Sequence, residues 1–177
     1  MPLDLKAVRP DFLFAVGYKW MLGPYGLGYL YVADEHLNGV PREENWLSRE
    51  ASEDFAKLVD YVDRYRGGAR RYDMGERSQL ELTRAACVTF EQLVEWGVPR
   101  MAETLGRLTA KIEARATELR LHISDSNRGP HMLGIDLPDN SADAVEILET
   151  ANVFVGRRGR SLRIAPHMYT SEADMQR

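Results

Sequence analysis

Lys19 is the residue whose surroundings most invite chemistry. Of the 23 basic residues in the chain only four are lysines, at positions 6, 19, 57 and 111. Lys6, Lys57 and Lys111 sit among charged neighbours as ordinary solvated lysines. Lys19 instead follows Phe12-Leu13-Phe14-Ala15-Val16-Gly17-Tyr18 and precedes Trp20-Met21-Leu22-Gly23. An amine in that setting either snorkels out of a sheet or is partly desolvated. A desolvated amine loses basicity, becomes nucleophilic and can form a Schiff base with a carbonyl.

Other residue types with chemical potential offer weaker patterns. The histidines at 36, 122, 131 and 167 have no H-x-x-x-H or C-x-x-C company, so no metal site is expected and structural or exposed roles suit all four. Cys87 lies between Ala85-Ala86 and Val88, which reads as a small buried apolar residue in a helix. Gly23-Pro24-Tyr25-Gly26-Leu27-Gly28 is glycine-rich, but it does not follow G-x-G-x-x-G, leads into a strand rather than a helix, and has no Gly-Lys-Ser/Thr after it. That context argues against a dinucleotide or P-loop site.

Phe12–Val16 is an unbroken apolar run, the pattern of a strand covered on both faces. Residues 17–26 read as a loop and Leu27–Val32 as a second strand, giving a hairpin or neighbouring strands in a buried sheet. Residues 34–50 are polar, with Trp46 as their large apolar anchor. The spacing of Phe55, Leu58, Val59 and Val62 predicts a short helix over 53–62. Arg64–Arg71 is a basic loop. Leu82, Ala86, Phe90 and Leu93 recur at helical spacing over 80–96. Gly97 ends that helix, and Pro99 opens another, with Met101, Leu105, Leu108, Ile112 and Leu119 as its apolar stripe. Beyond it the pattern predicts a strand over 131–137, a helix over 141–149 capped by Ser141 or Asn140, strands at 153–155 and 161–165 around a turn at 156–159, and a short helix from Ser171.

Length and composition bound the possibilities. A chain of 177 residues with 44% hydrophobic and 28% charged residues has enough material for a core without disulfide staples. The net charge of −4 argues against a nucleic-acid coat. Lys19, Pro24 and four glycines interrupt the apolar stretch 12–32, so it does not read as a membrane span. The N-terminal residues have no basic-then-apolar signal pattern, and a single cysteine suits a reducing compartment; both point to the cytoplasm.

The stretch from Asp11 to Val32 resembles the lysine segment of class V aminotransferases, the pyridoxal-phosphate enzymes that include cysteine desulfurases, isopenicillin N epimerase and kynureninase. In that family an apolar strand leads to the Schiff-base lysine, followed by Gly-Pro-x-Gly-x-Gly and a second apolar strand. Arg71-Tyr72-Asp73-Met74-Gly75-Glu76 is similar to the family's Arg-Phe-Glu-x-Gly-Thr, and Ser161-Leu162-Arg163-Ile164-Ala165-Pro166-His167-Met168-Tyr169 is similar to its closing Arg-Ile-Ser-x-His-x-Tyr-Asn. The resemblance implies an α/β fold: residues 1–96 as the C-terminal part of a fold type I pyridoxal-phosphate domain, then residues 97–177 as a small α+β domain clipped in its last helix. It implies pyridoxal 5'-phosphate as cofactor, an amino acid as substrate and a homodimer, with neither nucleic acid nor membrane as partner.

The resemblance also assigns roles. Lys19 corresponds to the Schiff-base lysine, and Tyr18 to the position near the cofactor phosphate. Arg163 corresponds to the arginine that pairs with the substrate α-carboxylate, a task suited to its planar fork; on the residues alone, a surface arginine paired with an acid is the alternative. The period of two sets the Arg163 side chain opposite its apolar neighbours, leaving the guanidinium free. Gly75-Glu76 stands where the family has Gly-Thr reaching phosphate. Glutamate is a poor phosphate ligand, so Ser78, Arg77 or the Gly75 amide is expected to substitute. The family's aspartate for the pyridine nitrogen has no counterpart here. The stretch 127–160 lacks the mobile cysteine of a desulfurase, which leaves transamination, epimerisation and elimination open. The alternative is a truncated, non-catalytic relative with a structural or interaction role.

Overall fold

The structure, a computed structural model, describes residues 2–77, 79–124, 127–139 and 141–176. Its contacts divide the chain into two units, Leu3–Leu93 and Val94–Arg177.

In the first unit a short helix, α1 (Leu5–Val8), is capped by the Asp4 carboxylate, which accepts from the Lys6 amide at 2.9 Å. Strands β1 (Phe12–Val16) and β2 (Gly28–Val32) pair antiparallel, from Phe12 opposite Val32 to Val16 opposite Gly28. The register sorts their side chains onto two faces. Helix α2 (Leu80–Trp96) covers the face that carries Tyr29, whose ring meets Phe90 at 5.0 Å. The other face departs from the expectation of a strand buried on both sides: Phe14 is 80% exposed, with Phe12 and Val16 beside it also exposed. At one end of that face Phe12 stacks on His36 at 5.0 Å and Val32 is buried, while Phe14 and Val16 stay open among the described residues.

Between β2 and α2 the chain is held by turns rather than long elements. The helix expected over 53–62 is a single 3-10 turn, Phe55–Lys57, capped by the Asp54 carboxylate. Its apolar residues find no common surface: Phe55 meets only the Trp46 ring edge-on at 5.7 Å among the ring contacts, and Val59 is exposed. The anchor of this region is Arg71, in the 3-10 segment Gly68–Tyr72. Its buried guanidinium donates to the carbonyl oxygens of Arg66 (2.9 Å) and Gly39 (3.0 Å). A buried cation is tolerable when its donors are satisfied in this way. The Tyr72 hydroxyl adds a hydrogen bond to the His36 carbonyl, so residues 36–39 and 66–72 are tied together.

Helix α2 buries Ala86 and Leu93. Cys87, expected to be buried, is exposed. One residue further along a helix is rotated by about 100°, which turns Cys87 off the line that carries Ala86. Gly97, at φ 76°, breaks the helix in a conformation that suits glycine. The Arg100 guanidinium donates to the final carbonyls of α2, Glu95 and Trp96, each at 2.7 Å.

The second unit is a helix on an antiparallel sheet. Helix α3 (Val98–Glu118) has Pro99 in its first turn and buries Met101, Leu105, Leu108 and Ala116; Leu119, expected in the same stripe, caps the helix and is exposed. Strands β3 (His122–Ile123), β4 (Leu133–Asp136), β5 (Gly156–Arg158) and β6 (Ser161–Ile164) align in the order β3-β4-β6-β5, every neighbouring pair antiparallel. Leu133 and Ile135 alternate inward and meet Ala116, with Ile112, Leu121, Ile123 and Ile164 packed around them. Between β4 and β5 lies α4 (Ala144–Thr150), shifted from the predicted 141–149; of its predicted caps, Asn140 lies outside the described residues. The strand expected at 153–155 is displaced to Gly156–Arg158. Gly159, at φ 58°, supplies the turn, so the two arginines before it pair with β6 instead of forming the loop. Strand β3 is only two residues long, too short to show a period in sequence. Ser171 and Asp174 form a reciprocal capping box at the start of α5 (Glu172–Met175). No helix among the described residues is long and apolar enough to cross a membrane.

Leu133 is 2% exposed at the centre of the second unit. Leu133→Ala should therefore cost about 2–5 kcal/mol in urea unfolding. Phe14→Ala, on the uncovered face, should change stability by less than about 0.5 kcal/mol. A large loss from Phe14→Ala would show that something buries that face in solution.

Candidate functional site

The loop that carries Lys19 is built from backbone. The Gly17 amide donates to the Leu27 carbonyl at 2.9 Å, extending the hairpin by one pair, and the Gly17 carbonyl accepts from the Gly23 amide at 2.9 Å. Inside that ring the Leu22 amide donates to the Lys19 carbonyl at 3.0 Å, the hydrogen bond of a β-turn. Leu22 follows at φ 55°, a left-handed conformation unusual for leucine. A Cβ on Gly17 would stand 3.1 Å from the Leu27 carbonyl oxygen, and one on Gly23 would stand 3.1 Å from the Gly17 carbonyl oxygen. Both contacts are tighter than an ordinary Cβ contact, so glycine suits this close crossing.

Lys19 itself is exposed, which corrects the expectation of a desolvated amine. The turn projects its side chain outward, and its ammonium lies 5.8 Å from the centre of the Tyr18 ring. That ring stacks on Tyr25 at 4.3 Å, so the two tyrosines make a small aromatic platform beside the lysine.

Gly75 lies in the same unit, at the end of the segment anchored by Arg71. Its amide donates to the Glu43 carboxylate at 2.5 Å. A Cβ there would stand 2.8 Å from the same carboxylate oxygen, at the end of a flexible side chain that would have to shift. Glu76 follows at φ 50°. The corner expected to meet a phosphate thus already holds an anion, and a phosphate at the Gly75 amide would have to displace Glu43. Arg77, the other expected substitute, pairs with Asp73 at 3.3 Å. Ser78 lies outside the described residues.

Arg163 belongs to the second unit. It stands on β6 between Gly134 of β4 and Gly156 of β5, on the face opposite the core. It is exposed, and among the described residues it has no ion pair. Beside it runs a polar row that the sequence reading missed, because its first member sits on the two-residue strand β3. His122 Nδ1 lies 2.8 Å from Asp136 Oδ2, and the Ser124 hydroxyl donates to Asp136 Oδ1 at 2.6 Å. The Ser161 hydroxyl donates to the same oxygen. Hydrogen bonds from Ser124, Ser161 and His122 hold the Asp136 carboxyl well below the usual carboxylate range. After β6, the His167 ring stacks on Tyr169 at 4.9 Å, and burial pushes its imidazole below the usual histidine range.

Two other groupings lie in the first unit. Asp11, Glu35 and His36 bring one ligand-capable atom each within 4.8 Å of one another. The contact of His36 with Asp11 at 3.0 Å and its stacking on Phe12 at 5.0 Å already account for its position. A cavity of about 460 Å³ is lined by residues of the segment 44–63, among them Trp46, Leu58 and Tyr61, and includes none of the predicted site residues.

No protein-family profile matches the chain. It is 26% identical over 179 residues to an uncharacterized aminotransferase, YcbU, of Bacillus subtilis, covering 99% of this chain and 46% of that protein. Among solved structures, the complex of the cystine C-S lyase C-DES with its product cysteine persulfide matches with a TM-score of 0.79 at 17% identity, over 99% of this chain and 47% of that one. The cysteine desulfurase CsdA of Escherichia coli matches with a TM-score of 0.74 at 18% identity, over 99% and 46%. The fold is that of fold type I pyridoxal-phosphate-dependent enzymes. The chain spans about half the length of the relatives it matches, and its similarity to the Bacillus subtilis aminotransferase covers both units.

Within this fold type I portion, the Asp136 network has a pH signature. A carboxyl depressed in the folded state stabilises the fold above its unfolded value, about pH 4, and that contribution is lost as pH falls through the lower folded value. Thermal melts from pH 6 down to pH 2 should show the Asp136→Asn variant losing less of its Tm on acidification than the parent chain. Identical acid sensitivity would show that Asp136 gains nothing from its three donors.

Proposed function

We propose that this chain is the lysine- and arginine-bearing portion of a class V aminotransferase-like enzyme that acts on an amino acid with pyridoxal 5'-phosphate. Lys19 is the Schiff-base lysine. The observation that carries the reading is the Lys19 loop: a lysine oriented by a backbone-closed turn, beside an aromatic platform, in a chain similar along its length to an aminotransferase. Residues 1–96 are then part of the large cofactor domain and 97–177 the small domain, of a cytoplasmic homodimer.

The residues fit the cofactor unevenly. Lys19 and its platform fit, with Tyr18 beside the amine. The Gly75 corner does not fit in the arrangement seen, because Glu43 occupies its amide; Ser78 stays assigned to the phosphate side. Pyridoxal phosphate, when bound, supplies an electron sink conjugated to the α-carbon of the amino acid. The chain's own contribution is orientation. Arg163, free of acid partners among the described residues, donates two parallel hydrogen bonds to the α-carboxylate. Transamination, epimerisation and elimination share this cofactor and the lysine, so the three reactions stay open. The open face at Phe14 and Val16 supports a second reading, a non-catalytic relative that works through protein contact.

Borohydride reduction separates the two readings. The full chain incubated with pyridoxal phosphate, reduced and mapped by peptide mass should carry the pyridoxyl label at Lys19, and Lys19→Ala should abolish it. Labelling spread equally over Lys57 and Lys111 would remove the assignment and leave the non-catalytic reading.

A further inference from the structure

The exposed face of the four-stranded sheet carries a second arginine. On β5, Arg158 pairs with Ser161 of β6, and Gly156 pairs with Arg163. Residues paired or two apart in this register share a face, so Arg158 and Arg163 emerge on the same side, diagonal to each other across adjacent strands. Diagonal neighbours lie roughly 7–8 Å apart, within reach of long side chains. The Arg163 guanidinium also leans towards β5: a Cβ on Gly156 would stand 3.6 Å from its Nη2. The glycine leaves that space open.

Neither arginine has a carboxylate partner among the described residues; Arg158 donates only to the Arg157 carbonyl, at 3.1 Å. Asp136 lies in the same row, next to Ser161. Asp136 makes its contacts within its own row, to Ser124, Ser161 and His122, and forms no ion pair with either arginine among the described residues. Two free guanidiniums on one face repel each other until an anion lies between them, and each offers a planar fork that matches one carboxylate.

We propose that Arg158 and Arg163 together bind a molecule with two carboxylates, which makes the acidic amino acids the substrate class of the site. This rests on the reading of Arg163 as the α-carboxylate arginine and adds Arg158 as the residue that recognises the side-chain carboxylate. A side-chain carboxylate separated from the α-carbon by one or two methylenes, as in aspartate or glutamate, suits two forks on neighbouring strands.

The test is a titration of the full chain with L-aspartate, L-glutamate and L-alanine, followed by the arginine Nε–Hε signals in NMR spectra. Aspartate or glutamate should bind at least tenfold more tightly than alanine. Arg158→Gln should remove that preference and leave alanine binding unchanged, whereas Arg163→Gln should weaken all three. Arg158→Lys keeps the charge without the fork and serves if the glutamine variant fails to fold; it should lose at least threefold of the preference. If Arg163→Gln weakens all three ligands while both Arg158 variants keep the preference, the dicarboxylate site is wrong and the α-carboxylate reading stands. If Arg163→Gln changes nothing, or no amino acid binds, both fall.

Discussion

The lysine loop depends on how closely the chain crosses itself at Gly17. Its amide and carbonyl are both engaged, by Leu27 on one side and Gly23 on the other, at 2.9 Å each. A side chain at either glycine would bring a Cβ to 3.1 Å from a carbonyl oxygen, tight enough that the backbone would have to shift by a few tenths of an ångström. Because the ring is closed by main-chain hydrogen bonds, the position of Lys19 owes little to side-chain packing. That reconciles two facts that otherwise pull apart: the amine is exposed, yet its Cα is fixed. Burial is one way to orient a lysine. A turn that fixes the backbone around it is another, and it leaves the amine open to a carbonyl partner.

The segment between the strands and α2 obeys a different constraint. It has almost no regular structure, so buried polar contacts set its course. Arg71 supplies them by donating to two carbonyls 27 residues apart in sequence, those of Gly39 and Arg66. The same tether brings Gly75 to Glu43. A glycine amide here is a donor waiting for an anion, and the chain satisfies it internally. With the Glu43 carboxylate at its amide, this corner carries a negative charge in the arrangement seen.

Long periodic elements were legible in the sequence, and short ones were not. The α2 and α3 stripes declared themselves because three or four turns repeat the same spacing, and β1 and β2 because apolar runs flank a glycine-rich loop. Strand β3 was invisible: two residues carry no period, and its partner register comes only from β4. The helix expected over 53–62 failed because its apolar residues have no surface to meet, so helical spacing there has no packing to reward it. Cys87 and Lys19 show the same limit in opposite settings. Small apolar neighbours suggest burial for the cysteine and apolar flanks suggest desolvation for the lysine, whereas helix rotation in one case and turn geometry in the other leave both exposed. The proposed site residues rest on resemblance to a known pattern; the polar row around Asp136 has no such pattern, since only the sheet brings His122, Ser124, Asp136 and Ser161 together.

The arginines show how much the context of a charge matters. With 19 of 23 basic residues being arginine, an exposed arginine by itself carries little information. Most of those with contacts have evident structural tasks: Arg71 is buried against carbonyls, Arg100 ends α2, Arg49 joins Glu44 to the Asp63 carbonyl, and Arg128 pairs with Glu113. Acidic residues outnumber basic ones, 27 to 23, so an arginine without a partner is not explained by a shortage of carboxylates. On the outer face of the second unit the reason is local. The residues flanking Arg163 across the strands are glycines, and the one carboxylate in the neighbouring row is held by two hydroxyls and an imidazole. Ser124 and Ser161 thus do more than satisfy Asp136. Their hydrogen bonds hold it ionised within its own row, and it forms no ion pair with Arg158 or Arg163 among the described residues.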